Sequence, residues 1–306
     1  MKTIQILHVP VMLQEVIEML SPKEGGIYVD ATVGTGGHAE GILRSVRRCT
    51  LIGIDRDEEA LKIVRERLKD YNIHLFRDNF SNMKAIVMGD SFRKGSGYKG
   101  VDGILLDLGV SSLQLKIERR GFSFLKDEPL NMRMDTRQRL SAEDVVNKYP
   151  EEELARILWE YGEERLSRKI ARAIVDARKR KPISSCRELA GIVERAVRPH
   201  RFAERNRGRI HPATKTFQAL RIEVNKELEE LEMAINAGVS ILREGGRFCV
   251  LSYHSLEDRI VKNSFRRMAR EGLLNIITKK PLLPTREEVL SNPSSRSARL
   301  RVAEKL

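Results

Sequence analysis

Cysteine is scarce. The chain holds three, Cys49, Cys186 and Cys249, far apart, odd in number and without a C-x-x-C pair. That pattern excludes a disulfide framework and a zinc cluster, suits a reduced cytoplasm and leaves no metal site to expect. Long apolar runs are also missing, and none approaches the length of a membrane span. The N-terminal stretch MKTIQILHVPVMLQEVIEML has an apolar face, but Glu15 and Glu18 interrupt it and no small-residue cleavage site follows. No targeting segment is expected. Neither internal repeats nor low-complexity tracts occur.

What is there is charge. Of 306 residues 41% are hydrophobic and 32% charged, a soluble globular composition able to fill one large core or two smaller ones. The formal net charge of +13 argues for a polyanionic partner before any motif is consulted.

The stretch Ile27 to Asp55 organises the chain. It reads as a strand from Ile27, a turn through Gly34, Gly36 and Gly37, a helix over Ala39 to Arg48, and a second strand over Leu51 to Ile54. Glycines at that spacing let the backbone turn sharply and a ligand approach closely. Asp55 follows 19 residues after Gly36 (55 − 36), about the offset at which doubly wound folds hold ribose hydroxyls. A pyrophosphate cofactor such as NAD wants helix N-terminal amides and no carboxylate nearby. S-adenosylmethionine carries a sulfonium and an ammonium, so Asp30 beside the glycines favours it over a dinucleotide.

Further elements repeat the alternation. Val11 to Leu20 and Glu58 to Lys69 have helical apolar spacing, and Ile73 to Phe76 is a third strand. Asp78 and Phe80 just beyond it are placed to meet an adenine amino group and cover the base, although Phe80 reads equally well as a core aromatic. Val101 to Leu106 is a fourth strand, so Asp107 stands at its carboxyl end, where ligands sit in open α/β sheets. Amine methyltransferases often carry an Asp, Asn or Ser there before two prolines. Here Leu108-Gly109 replaces the prolines.

From about Leu113 to Pro212 helical patterns take over, with a capping box at Ser185-x-x-Glu188. Leu115 to Lys215 holds 25 Lys or Arg against 16 Asp or Glu. Arg198, Arg201, Arg205, Arg207, Arg209 and Lys215, interleaved with Phe202, Asn206 and Gly208, suit a phosphate-tracking loop better than a solvated helix face, because Pro and Gly break the helix and expose the arginines. Thr214 to Leu242 reads as one long helix. Gly245-Gly246 then turns into a strand over Arg247 to Leu251, and Ser252-Tyr253-His254 follows. His254 reads either as a proton acceptor or as a hydrogen-bonded structural group.

Several motifs share one resemblance: HVPVML at 8–13, VDATVGTGGHA at 29–39, DLGVSS at 107–112, GFSF with PLNMRMD at 121–135, FQALRIEVN at 217–225, SYHSLEDR at 252–259 and NPSSRSARLR at 292–301. Together they resemble the bacterial 16S ribosomal RNA cytosine-N4 methyltransferases, the RsmH or MraW type, from end to end. The resemblance implies an α/β, doubly wound, Rossmann-like methyltransferase core over 1–112 and 213–306, with an inserted all-helical, basic substrate-recognition domain over 113–212. It implies S-adenosylmethionine as methyl donor and N4 of a P-site cytidine in 16S rRNA, within the small ribosomal subunit, as acceptor. Cofactor contacts would fall on Gly34, Gly36, Gly37, His38, Asp55, Phe80, Asp107 and Gln114, with His38 and Gln114 supplied by the resemblance alone. Asp107 would then serve cofactor and amine together, with His254 as a second catalytic candidate. Transfer is expected to be direct, without a covalent enzyme intermediate. One departure is Asn131, where the family pattern suggests Asp. A homodimer is compatible with the sequence. A methyltransferase for DNA or a small molecule, an NAD enzyme and a non-catalytic RNA-binding factor are the competing readings.

Overall fold

The computed structural model describes residues 9–89, 100–109, 120–197 and 211–306. The chain divides into two compact units, Met1–Leu113 with Leu228–Leu306, and Gln114–Glu227.

The first unit opens with α1 (Leu13–Leu20), β1 (Ile27–Asp30), α2 (Gly37–Ser45), β2 (Thr50–Asp55), α3 (Glu58–Arg67), β3 (Ile73–Arg77), α4 (Met83–Met88) and β4 (Val101–Asp107). Helix α1 starts after Met12 because Met12 is left-handed (φ +52°). Asp57 caps α3 by accepting the Glu59 amide at 3.1 Å, one of the donors a helix start leaves unpaired.

The second unit is helical: α5 (Ala142–Lys148), α6 (Glu151–Glu160), α7 (Ser167–Arg178), α8 (Cys186–Val197) and α9 (Ala213–Asn225). Each contributes one apolar stripe to a shared core, among them Leu154 and Ile157, Ile170 and Ile174, Leu189 and Val193, and Phe217, Leu220 and Val224. Asn225 ties two of the sequence motifs together, since its Oδ1 accepts the Met134 amide at 2.8 Å and its Nδ2 donates to the Met132 carbonyl at 2.8 Å. Asn131 resolves its own departure from the family pattern. Its Oδ1 accepts from the Arg133 Nε at 2.8 Å, an acceptor role that an amide oxygen fills as a carboxylate would.

Two expectations are corrected here. The single helix over 214–242 breaks at Lys226 (φ +51°), so α10 (Glu227–Ile241) is a separate helix. The helical unit also runs to Glu227 rather than 212, because the apolar stripe of α9 packs into that unit's core. Periodicity alone missed the break, since both helices carry apolar stripes and no Gly or Pro marks the boundary.

The remaining elements return to the first unit: β5 (Leu242–Ser252), α11 (Ser255–Arg270), β6 (Leu274–Ile276), α12 (Arg286–Ser291) and β7 (Arg299–Lys305). Gly245-Gly246 lies inside β5 rather than before it. Val101 pairs with Leu242 and Gly103 with Arg247, so the residues between bulge out of the ladder.

The seven strands form one sheet in the order β3-β2-β1-β4-β5-β7-β6. Strand β7 alone runs against the others, pairing antiparallel with β5 and β6. Alternate residues feed two cores: Val29, Ile52, Ile54, Ile104 and Phe248 belong to one, and Tyr28, Leu51, Leu105, Cys249 and Leu251 to the other. Burial on both faces is why these strands read as continuous apolar runs. The doubly wound expectation holds. The chain leaves β1 toward β2 on one side, while β4 lies on the other, and that reversal opens a crevice at the strands' carboxyl ends.

Candidate functional site

The crevice is built from strand ends. After β1 the chain turns through Val33, whose amide donates to the Ile54 carbonyl at 3.0 Å, and Gly36, whose amide donates to the Val33 carbonyl at 2.8 Å. Gly34 (φ +50°) and Gly36 (φ +83°) take left-handed conformations that favour glycine. A Cβ on Gly34 would meet nothing nearer than the Thr32 carbonyl oxygen at 3.8 Å, so the space there is open. One on Gly37 would press Pro10 at 3.2 Å. Gly36 caps α2 without a side chain, leaving the helix start with no carboxylate or hydroxyl cap.

Three carboxylates surround this turn. At the end of β2, Asp55 accepts the Gly34 amide on Oδ2 at 2.9 Å and the Asp57 amide on Oδ1 at 2.8 Å. Burial raises its carboxyl above the ordinary range despite those two bonds. At the end of β1, Asp30 is 1% exposed. Burial pushes its carboxyl up to about 7, opposed by His38 and the Thr32 amide and reinforced by Asp107 and Asp55. Three carboxylates thus crowd one turn, and burial there works against their ionisation at Asp30 and Asp55.

Asp107, at the end of β4, is the hub. Its amide donates to the Thr32 hydroxyl at 2.6 Å, which fixes the backbone. The Tyr253 hydroxyl donates to its Oδ1 at 2.6 Å. Burial and the adjoining carboxylate push the Tyr253 phenol well above the usual tyrosine range, so it remains a donor. His38 Nδ1 lies 3.5 Å from Asp107 Oδ2. The other ring nitrogen, Nε2, is 2.9 Å from the Val11 carbonyl, and a carbonyl only accepts, so Nε2 carries a hydrogen.

A clasp holds the segment that orients His38. Glu288, in α12, accepts the Met12 amide at 2.6 Å, and Asn292 Nδ2 donates to the Val9 carbonyl at 3.2 Å. The HVPVML and NPSSRSARLR motifs thus meet, and the carbonyl that receives His38 lies between the two bonds.

Phe80 is 9% exposed and packs with Met83 and Val87 in the core, while the Arg56 guanidinium sits 5.3 Å from its ring centroid. It packs as a core aromatic just past the end of β3. Asp78 Oδ1 accepts from the Asn79 amide at 2.7 Å and from Asn82 Nδ2 at 2.8 Å.

His254 departs from its candidate role. It is the N-cap of α11: Nδ1 accepts the Glu257 amide at 3.4 Å, while the Glu257 carboxylate reaches back to the His254 amide at 3.3 Å. Nε2 lies 3.2 Å from Glu257 Oε1. With Nδ1 accepting the helix cap, its lone pair is not available for a substrate proton, while Nε2 is buried and makes no hydrogen bond among the described residues. Glu257 also accepts the Tyr253 amide at 2.8 Å, so this cap places the tyrosine that holds Asp107.

Lys215 lies in α9, exposed, with Nζ donating to the Glu163 carbonyl at 2.8 Å. Gln114, Arg198, Arg201, Arg205, Arg207 and Arg209 lie outside the described residues. Sequence reasoning did not find Thr32 or Glu288 and placed Tyr253 only just past a strand end. Thr32 and Tyr253 stand 75 and 146 residues from Asp107, and no local pattern reports such pairings.

The model of the MraW methylase family matches residues 5–306. A protein of Persephonella marina named ribosomal RNA small subunit methyltransferase H is 48% identical over 301 residues, covering 98% of this chain and 99% of its own. A protein of the same name from Thermotoga neapolitana is 50% identical over 301 residues, covering 97% of this chain and 95% of its own.

Proposed function

The chain belongs to the MraW methylase family, and on that premise we propose that it methylates small-subunit ribosomal RNA with S-adenosylmethionine, at the exocyclic N4 amine of the P-site cytidine in 16S rRNA. The observation that carries the reading is the Asp107 carboxylate, fixed by Tyr253 at a crevice that also holds Asp30, Asp55 and an open glycine turn. The relatives' names supply the ribosomal RNA.

The residues fit the cofactor chemically. A ligand with two cationic centres is compatible with three crowded carboxylates, whereas a pyrophosphate would be repelled by them. Asp55 suits ribose hydroxyls, since each of its oxygens keeps a lone pair beyond the backbone bond it accepts. Gly34, Gly36 and Gly37 would line the cofactor's path, with His38 and Phe80 at its rim, and Gln114 follows from the family pattern. When bound, S-adenosylmethionine supplies a methyl group activated by a sulfonium.

The chain's own part is orientation. Asp107 keeps lone pairs for an N–H of the acceptor amine, because Tyr253 occupies one position on Oδ1. Holding that N–H aims the nitrogen lone pair and adds electron density to it. As the N–C bond forms, the methyl C–S bond would break and leave S-adenosylhomocysteine as the neutral thioether, and the amine would shed one proton, which Asp107 would accept and pass to water. Positioning and fixed charge supply the acceleration. Arg198, Arg201, Arg205, Arg207, Arg209 and Lys215 would track the RNA phosphates.

The test incubates the protein with labelled S-adenosylmethionine and unmodified small subunits or 16S RNA, then digests the RNA to nucleosides for mass spectrometry. N4-methylcytidine from one site is expected. Label in another nucleoside overturns the acceptor, and none in any RNA overturns the enzymatic reading.

A further inference from the structure

Basic charge also gathers in a second stretch of sequence, within the first unit. Between 259 and 280 the chain carries seven Lys or Arg and one acid, Glu271. A groove of about 540 Å³ opens between α11 and the edge of the sheet at β6. Phe265 and Leu274 form its apolar floor, and Lys262, Arg266 and Lys279 stand on its walls.

The charges there are not internally balanced. Arg301, which also lines the groove, forks onto Asp258 at 2.6 and 3.1 Å, and Arg299 reaches the same carboxylate at 3.3 Å. Two guanidiniums therefore share one acid. Arg267 is paired with Glu271. Lys262, Arg266 and Lys279 make no ion pair among the described residues. Cations converging over an apolar floor focus positive potential more strongly than the same cations spread on a convex surface.

We propose that this groove binds a phosphodiester segment of the RNA substrate, as a second contact distinct from both the acceptor crevice and the arginine-rich loop. The proposal rests on the RNA reading above. Lys262 and Arg266 are four residues apart, hence neighbours on one helix face about 6 Å apart along the axis, and Lys279 faces them from beyond β6. That arrangement suits a chain of successive phosphates rather than one isolated anion. Helix α11 begins directly after Tyr253 and His254, so Lys262 stands about 10 Å along it from the residues that hold Asp107. At a rise of about 3.4 Å per nucleotide, the duplex DNA value taken as a scale, a few nucleotides cover that distance.

The test compares wild type with the triple variant Lys262→Gln, Arg266→Gln, Lys279→Gln. A charge-matched control carries Lys23→Gln, Arg47→Gln and Lys84→Gln, all exposed residues of the same unit. Binding of a small-subunit RNA fragment is followed by fluorescence anisotropy across a salt series, alongside S-adenosylmethionine affinity and Tm. The groove variant should bind RNA at least tenfold more weakly, with a salt slope shallower by about two units for three lost phosphate contacts, and with cofactor affinity and Tm unchanged. The control should stay within about twofold of wild type. An unchanged slope in the groove variant, or an equal loss in the control, overturns the proposal. Failure of wild type to bind the RNA overturns the parent reading instead.

Discussion

The Tyr253 hydroxyl donates to Asp107 Oδ1 at 2.6 Å across 146 residues of chain. The phenol stays protonated because burial and the carboxylate itself push its ionisation well above the usual range. The bond occupies one lone pair and fixes the plane of the carboxylate, which leaves its remaining lone pairs aimed rather than free to rotate.

Removing the hydroxyl alone should therefore expose its role. Tyr253→Phe keeps the ring and deletes the donor, and a hydrogen bond to a charged group is worth about 1.5–3 kcal/mol. Single-turnover methyl transfer should slow by roughly ten- to a hundredfold, with cofactor affinity within about twofold of wild type. An unchanged rate would show that Asp107 needs no such partner.

Asp30 predicts a pH dependence. Its carboxyl is pushed up to about 7 in the fold, above its ordinary value of 3.8, so the folded state holds the proton longer than the unfolded chain does. Its contribution to stability is present below the ordinary value and is lost as pH rises through about 7. A cationic ligand favours the ionised form, so S-adenosylmethionine should bind more weakly as pH falls below about 7 and release protons there. Calorimetry in buffers of different ionisation enthalpy measures both. Asp30→Asn should flatten the profile and raise the Tm of the ligand-free protein at pH 8. The same profile in the variant would assign the titration elsewhere.

The clasp between the chain's two ends yields a third expectation. Glu288→Ala removes the acceptor for the Met12 amide and loosens the segment whose Val11 carbonyl receives His38. Amide exchange at Met12 should accelerate, and stability should fall by about 1–3 kcal/mol. Turnover should drop more than cofactor affinity. Unaltered exchange at Met12 would mean that α12 does not hold the segment.

Much of this was legible in the sequence, for physical reasons that also explain the rest. Strands β1, β2 and β4 announce themselves because both faces of the sheet are covered, and the glycine turn because Gly34 and Gly36 need positive φ. Asp55 and Asp107 follow as strand ends. His254 misleads because a histidine at a strand end looks the same whether it meets substrate or caps a helix. Lys226 breaks a helix in a left-handed conformation that its residue type does not signal. The Thr32, Tyr253 and Glu288 contacts are set by tertiary proximity, which no local spacing encodes.

The central claim is that Asp107 orients the acceptor amine, and Asp107→Ala tests it most directly. Methyl transfer to unmodified small subunits and S-adenosylmethionine affinity are measured side by side, with Tm as a control for folding. Transfer should fall at least a hundredfold, while Tm moves by only a few degrees and the cofactor still binds. Turnover equal to wild type would remove Asp107 from the reaction and contradict the account.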